Sequence, residues 1–342
     1  MTRKTGPDNV VSNASLLEKN TFHVAANAQW LGWFRTAEDL RAFWADERFR
    51  NLPKHILGGG SNLLITREVE GLVLQSADDS LVKVDENDAF HFVKLGAGAD
   101  WSACVDRLVA EGFNGVENLT AVPGTVGGAV VQNIGAYGLE FAERVVEVEC
   151  FSPEDGSVHV LTADDCDYGY RTSVFKTEKK DWVVLSATLA LPKAFEPRVG
   201  YKELAAVFGD KVPENAREVS SVVRAVRQKK LPDPKVLGNA GSFFKNPVVT
   251  RVKANHLLED DPKLVVYPLA GGRAKLAAGR LIDAVGMKGR REGDAGVSEK
   301  HSLVLVNHGS ATGADILAVA QTVKAAVKRR YGVELELEPV IW

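Results

Sequence analysis

Two glycine-dense segments are the first candidates for chemistry. Gly58-Gly59-Gly60-Ser61-Asn62 lies between two apolar runs, where unhindered backbone N–H groups and a hydroxyl could converge on a phosphate. Neither the Walker pattern nor GxGxxG is present, so a plain glycine turn between strands explains this loop as well. The second segment runs from Glu117 to Gly138 and spreads Gly124, Gly127, Gly128, Gly135 and Gly138 among Val122, Val126, Val130, Val131 and Ile134. A mere surface loop would not hold so many apolar side chains, and the glycines permit close backbone approach to a large flat or diphosphate ligand. Further on, Glu334, Glu336 and Glu338 alternate with Leu335 and Leu337, so a strand there would put all three carboxylates on one face. Periodicity does not choose among them. Taken alone, Arg171 beside Tyr170 reads as an ion-pair partner, Ser242 after Gly241 as a turn hydroxyl, and the basic run Arg224 to Lys230 as a solvated helix face.

The elements that must position these residues follow from pattern. Thr36-Ala-Glu-Asp before Leu40, Phe43 and Trp44 predicts a capped amphipathic helix. His55–Leu57, Leu63–Ile65, Leu72–Leu74 and Phe90–Leu95 predict strands, and Trp101, Val105, Leu108 and Val109 predict a helix closing at Gly112. Strand-like runs fill 145–191, with a turn at Pro153-Glu154-Asp155-Gly156. A helix is expected from Ala216 to Lys230, stopped by Pro232 and Pro234, where a domain boundary is placed. Beyond it the pattern predicts a helix over Lys275–Val285, a strand at Leu303–Asn307, a long helix from Asp315 to Arg330 and a strand over Val333–Trp342.

At 342 residues the chain exceeds what one core supports, so two or three domains are expected. A net charge of -3 offers no general attraction to nucleic acid or anionic membranes, and no run of apolar residues is long enough to span a bilayer. Residues 1–19 are polar, lack a signal-peptide core and are expected to be a flexible leader. Cys104, Cys150 and Cys166 have no metal-ligand or paired spacing, which predicts reduced packing cysteines, no metal and a cytoplasmic location.

Several motifs in order are specific. Gly58 to Ile65, Pro123-Gly124-x-x-Gly127-Gly128, Asn133-Ile134-Gly135-Ala136-Tyr137-Gly138, Gly169-Tyr170-Arg171-Thr172-Ser173-Val174-Phe175-Lys176, Lys230 to Lys235, Gly238 to Pro247, Lys275 to Gly279 and Glu338-Pro339-Val340 resemble the UDP-N-acetylenolpyruvoylglucosamine reductases. Tyr201 places the resemblance in the longer, type I branch, and the likeness spans about residues 20–342. It implies an α+β architecture. A FAD-binding region of the vanillyl-alcohol-oxidase (PCMH) type is expected over 20–230, as subdomains of about 20–78 and 79–230 rejoined by 321–342, with a separate α+β substrate domain at 231–320.

The resemblance further implies NADPH-dependent reduction, through non-covalent FAD, of an enolpyruvyl group on a UDP-sugar, with NADPH and sugar using one cleft in turn. It assigns Arg171 to the charge that develops on the substrate carboxylate, Ser242 to the proton and Glu338 to polarising the reacting carboxyl group or relaying a proton. An arginine fork suits a carboxylate and stays protonated, whereas a serine hydroxyl is a poor acid that needs neighbouring support, for which Lys245 is a candidate. FAD contacts are expected from Gly58, Gly59, Gly60, Ser61, Asn62, Pro123, Gly124, Gly127, Gly128, Asn133, Ile134, Gly135 and Arg227. Substrate contacts are expected from Tyr137, Tyr201, Lys230, Asn246, Tyr267 and Lys288. A monomer is expected. Two other readings are a flavin oxidase of the same fold, which would commonly carry a His or Cys tether although no His lies in 117–138, and a nucleotide-sugar-binding regulator, which would not need Arg171, Ser242 and Glu338 together.

Overall fold

The computed structural model describes residues 3–342. It divides into two compact α+β units whose sequences interleave: one extends up to Ala14 and adds Ala28–Gly59 and Glu70–Lys229, and the other holds Ser15–Asn27, Gly60–Val69 and Lys230–Trp342.

In the first unit, helix α1 (Ala37–Ala45) begins at a reciprocal capping box between Thr36 and Asp39 and buries Leu40 and Phe43. These pack with Phe49, from the turn after the helix, and with Phe34, Leu72 and Leu74 from a four-stranded sheet ordered Val11–Ser15, Asn27–Phe34, Val69–Ser76, Lys54–Ile56. A second, antiparallel sheet is ordered Val158–Thr162, Val145–Phe151, Val183–Pro192, Phe90–Gly96, Leu81–Glu86. Helices α2 (Trp101–Ala110) and α3 (Val126–Gln132) share its core: Trp101, Val105, Leu108, Val126 and Val130 are buried with Val93, Leu95, Val148 and Leu189. Each such Val or Leu contributes about 1.5–3 kcal/mol of burial free energy. Helices α4 (Lys202–Phe208) and α5 (Ala216–Lys230) pack through Leu204, Phe208, Val219 and Val223.

In the second unit the sheet runs Gly238–Ser242, Val304–Asn307, Ala295–Val297, Arg291–Glu292, and a three-stranded sheet runs Val248–Thr250, Arg273–Leu276, Val266–Leu269. Helices α6 (Arg251–Asp260), α7 (Ala278–Ala284) and α8 (Gly313–Tyr331) close around Phe22, Phe243 and Phe244, with Leu281, Ile282, Ile316, Val319 and Val323 completing the core.

Several expectations change. Of the leader 1–19, Met1 and Thr2 lie outside the described residues, but Val11–Ser15 is a sheet strand, Leu16 is buried, and Gly6 N–H donates to the Trp33 carbonyl at 2.9 Å. That segment belongs to the fold. The C-terminal residues 321–342 lie within the second unit, where Val340–Ile341 pairs in parallel with Leu63–Leu64. Lys275 and Leu276 are strand residues paired to Tyr267 and Val266, so the helix starts only at Ala278. Val126–Gln132, inside the glycine-dense segment for which no helix was expected, is helical because Val126, Ala129 and Val130 share one buried face despite Gly127 and Gly128. The three cysteines are free and buried, and burial pushes the Cys104 thiol up to about 11 and that of Cys150 to about 12, which makes them inert packing groups. No helix among the described residues is long and apolar enough to cross a membrane.

Candidate active site

The first unit holds a backbone cradle. A Cβ on Gly59 would lie 3.0 Å from the Gly124 Cα, and one on Gly58 would lie 2.8 Å from the Thr125 Oγ1. The two glycine segments therefore face each other with no room for side chains. The Pro123-Gly124 side is fixed from within: the Gly124 carbonyl accepts from Trp101 N–H at 3.0 Å, and Thr125 Oγ1 accepts from Gly128 N–H at 3.3 Å at the start of α3. Gly127 packs its backbone on Ala97 and donates to its carbonyl at 2.9 Å, while Ile134 packs against the core below. Gly58 and Gly59 thus serve this cradle, but Gly60, Ser61 and Asn62 belong to the second unit.

Beside α3 stands a strained turn. Gly169 and Thr172 exchange hydrogen bonds of 3.0 and 3.1 Å, and Arg171 occupies the third place of the turn at φ +56°. Gly or Asn is usual there, and an arginine in the left-handed region costs about 1–2 kcal/mol. Asn133, itself left-handed at the end of α3, donates from Nδ2 to the Gly169 carbonyl at 3.0 Å and to Glu140 Oε2 at 2.9 Å. The Arg171 guanidinium donates to the Gly135 carbonyl at 3.0 Å, and a Cβ on Gly135 would approach its Nη1 to 3.2 Å.

Arg227 on α5 completes this group. Its Nε donates to the carbonyl of Ala121, another left-handed residue, at 3.1 Å, and it also hydrogen-bonds the Tyr137 side chain. Burial holds its pKa below the usual arginine value; Tyr137 opposes that shift, and the charge of Arg171 adds to it. Two guanidiniums repelling each other in half-buried surroundings suit an anionic ligand. The Tyr137 ring packs edge-on against Tyr201 at 5.3 Å, and Tyr137 is buried whereas Tyr201, before α4, is exposed. Arg171, Arg227, Asn133, Gly135, Tyr137 and Tyr201 are therefore brought together.

A second constellation lies in the other unit. Ser242, half-buried, ends its strand after Gly241, whose N–H is held by Asn239 Oδ1 at 3.0 Å. The next residues are anchored by the fully buried Phe243 and Phe244. Their backbone ladders with the C-terminal segment: Glu338 N–H donates to the Phe243 carbonyl at 3.0 Å, and Lys245 N–H to that of Glu336 at 2.9 Å. Glu338 thus sits beside the residue that follows Ser242. Leu337 makes an isolated bridge to Phe244 here, and burial distinguishes the three carboxylates. Glu334 is exposed and paired with Lys328, Glu336 is exposed and paired with Lys245 at 3.4 Å, and Glu338 is half-buried. Asn62 donates to the Glu338 carbonyl at 3.3 Å and accepts from Val340 N–H at 2.9 Å, which ties the end of the Gly-Ser-Asn loop to this segment.

The remaining residues are more dispersed. Asn246 Oδ1 accepts from Ala278 N–H at 2.9 Å, at the start of α7. Tyr267 is exposed, with the Lys275 ammonium 6.0 Å from its ring; Lys288 is exposed in the turn after α7, and Lys230 ends α5. Three residues with no role in the sequence reading hold the first constellation: Gln132, Lys176 and Asn118, which is buried and donates to the Tyr137 and Arg198 carbonyls at 2.8 Å. Their one signal was membership of the quoted motif segments.

The FAD-binding domain family model matches residues 30–162, and the model described as UDP-N-acetylenolpyruvoylglucosamine reductase, C-terminal domain, matches 233–342. The UDP-N-acetylenolpyruvoylglucosamine reductase of Burkholderia pseudomallei (strain 668) is 44% identical over 342 residues, covering 98% of this chain and 99% of the relative. That of Paraburkholderia phymatum is 45% identical over 336 residues, covering 96% and 97%. Among solved structures, the UDP-N-acetylenolpyruvylglucosamine reductase of Thermus caldophilus aligns with a TM-score of 0.69 at 27% identity, covering 97% of this chain and 98% of that one. With full-length identity at this level and both parts of the chain matched, the chain belongs to the UDP-N-acetylenolpyruvoylglucosamine reductases.

Proposed function

We propose that the chain reduces the enolpyruvyl group of UDP-N-acetyl-3-O-(1-carboxyvinyl)-glucosamine to give UDP-N-acetylmuramate, with NADPH as donor, in peptidoglycan precursor synthesis. FAD, when bound, supplies the two-electron carrier between nicotinamide and the enolpyruvyl double bond. The fit rests on the cradle where Gly58 and Gly59 meet Gly124 and Thr125, which leaves no room for a side chain at either of the first two, and on the half-buried cation Arg227.

The reduction adds a hydride to the methylene carbon and a proton to its neighbour, and negative charge passes into the attached carboxylate between the two. In this reading Arg171 holds that carboxylate. Its guanidinium is fixed by the Gly135 carbonyl, and the partner charge Arg227 makes the surroundings favourable to an anion. Ser242 holds the proton to be delivered, and Glu338 polarises the reacting end. The single observation that carries the reading is the ladder between Phe243 and Glu338, since it fixes the Ser242 strand end against one of the three alternating glutamates. Tyr137, Tyr201, Lys230, Asn246, Tyr267 and Lys288 are proposed to bind the sugar nucleotide, the first unit to bind FAD and the second to bind substrate.

The test is anaerobic: NADPH should bleach the flavin of the purified protein, and the enolpyruvyl UDP-sugar should restore its colour without oxygen while UDP-N-acetylmuramate accumulates. Failure of the sugar to restore it would overturn the assignment. We also propose that the protein is a cytoplasmic monomer without nucleic-acid or membrane partners, supported by its inert buried thiols and net charge of -3. Light scattering across protein concentrations, with dimer mass as the contrary result, tests the monomer.

A further inference from the structure

We propose that Lys176 is a positioning residue for recognition of the substrate carboxylate, acting through the backbone of Arg171; this rests on the reading of Arg171 as the partner of that carboxylate. The Lys176 ammonium donates to the Arg171 carbonyl at 3.0 Å and to Gln132 Oε1 at 3.0 Å. Gln132 is the last residue of α3, so the lysine joins the turn to the end of that helix. The joint matters because Arg171 is left-handed at φ +56°, a state that an L residue leaves when its surroundings do not enforce it.

Other bonds hold the turn's ends: Asn133 takes the Gly169 carbonyl at 3.0 Å, and Ser173 Oγ donates to the Val131 carbonyl at 2.8 Å. Lys176 instead acts on the peptide of Arg171 itself, the pivot from which the guanidinium reaches the Gly135 carbonyl. Relaxing that peptide swings a long side chain, and a shift of about 1 Å in a charged contact is enough to lose ~10²-fold in a positioned reaction. Lys176 fits this role better than that of a second carboxylate ligand, because two of its three N–H bonds go to protein oxygens.

The measurement is calorimetric, on the FAD-loaded protein, with UDP-N-acetylmuramate, which bears the carboxylate, and UDP-N-acetylglucosamine, which lacks it. Lys176→Met should narrow the preference for the carboxylate-bearing ligand by ~10- to 100-fold and leave UDP-N-acetylglucosamine binding within about twofold. Lys176→Arg should restore most of the preference. Arg171→Ala should abolish it, and adding Lys176→Met to that variant should change nothing further, since the two act as a unit. If Arg171→Ala keeps the preference, the reading of Arg171 fails. If Arg171→Ala loses it while Lys176→Met keeps it, or if Lys176→Met weakens both ligands equally, the role of Lys176 alone is overturned. Should Lys176→Met not fold with its flavin, Gln132→Met takes its place, with a smaller narrowing expected and an unchanged ratio overturning the proposal.

Discussion

The Arg171 turn and the Ser242 strand end solve the same problem by opposite means. Arg171 is held in a backbone state that its residue type disfavours, by side chains that converge on it from α3 and its flanks. Ser242 ends a strand whose pairing shifts register between Asn239 and Ser242, and two fully buried phenylalanines and the backbone bonds of the C-terminal segment hold the residues after it. A guanidinium that must face a shifting charge gains from a pre-set, over-determined pivot. A short hydroxyl has no reach of its own, so in the proposed role the main chain must carry it to the reacting atom. One site is therefore sensitive to the loss of side-chain clamps and the other to the loss of core packing.

The largest expected effect lies on the strand side. Ser242→Ala should lower turnover by ~10²- to 10⁴-fold, and Ser242→Cys, which keeps an acidic hydrogen, should recover part of it; steady-state rates decide. On the turn side, Arg171→Lys should lower turnover by ~10²- to 10³-fold, because an ammonium lacks the fork that faces a carboxylate. A loss below about threefold would reduce Arg171 to a point charge. Phe244→Ala should destabilise the second unit by about 3–5 kcal/mol in chemical denaturation and depress the Ser242 step with it, while leaving the first unit's transition in place. Loss of both transitions together would break the comparison.

Smaller effects separate site from scaffold. Glu338→Gln should slow turnover measurably and Glu336→Gln should not, because Glu336 is exposed and occupied by Lys245; the reverse order would reassign the glutamate. At the far edge of the first unit's five-stranded sheet, hydrogen bonds from Lys193 and Lys83 lower the Glu86 carboxyl to about 2. A carboxyl lowered on folding stabilises above its ordinary value near 4.5 and loses that contribution as pH falls toward 2. The stability gap between the parent protein and Lys193→Met should therefore close over that range, with no change in turnover at neutral pH. A gap that stays constant would show the pairing to be idle.

Much of this was legible in the sequence. The capping box at Thr36, the α2 and α8 patterns and the ordered motifs each follow from local rules, and the glycine pairs foretold a backbone cradle. The missed parts have physical causes. Helix α3 was hidden because Gly127 and Gly128 lower helix propensity, while burial of Val126 and Val130 against the sheet overrides it. The leader looked polar because Val11–Ser15 is largely exposed, yet strand pairing needs no apolar side chains. Period-two alternation from Val333 to Leu337 was real in burial, but hydrogen bonding to Phe243 and Asn62, far away in sequence, distinguishes Glu338. Lys176 and Gln132 gave no signal as a pair, since they lie 44 residues apart in sequence and meet only through the fold.

The division of labour between Arg171 and Ser242 meets its most direct test in single-turnover, anaerobic half-reactions of Ser242→Ala. Reduction of the flavin by NADPH should proceed at the parent rate, while reoxidation by the enolpyruvyl UDP-sugar should slow by ~10²- to 10⁴-fold. Equal slowing of the two half-reactions would show that Ser242 supports the fold of the site and does not deliver the proton.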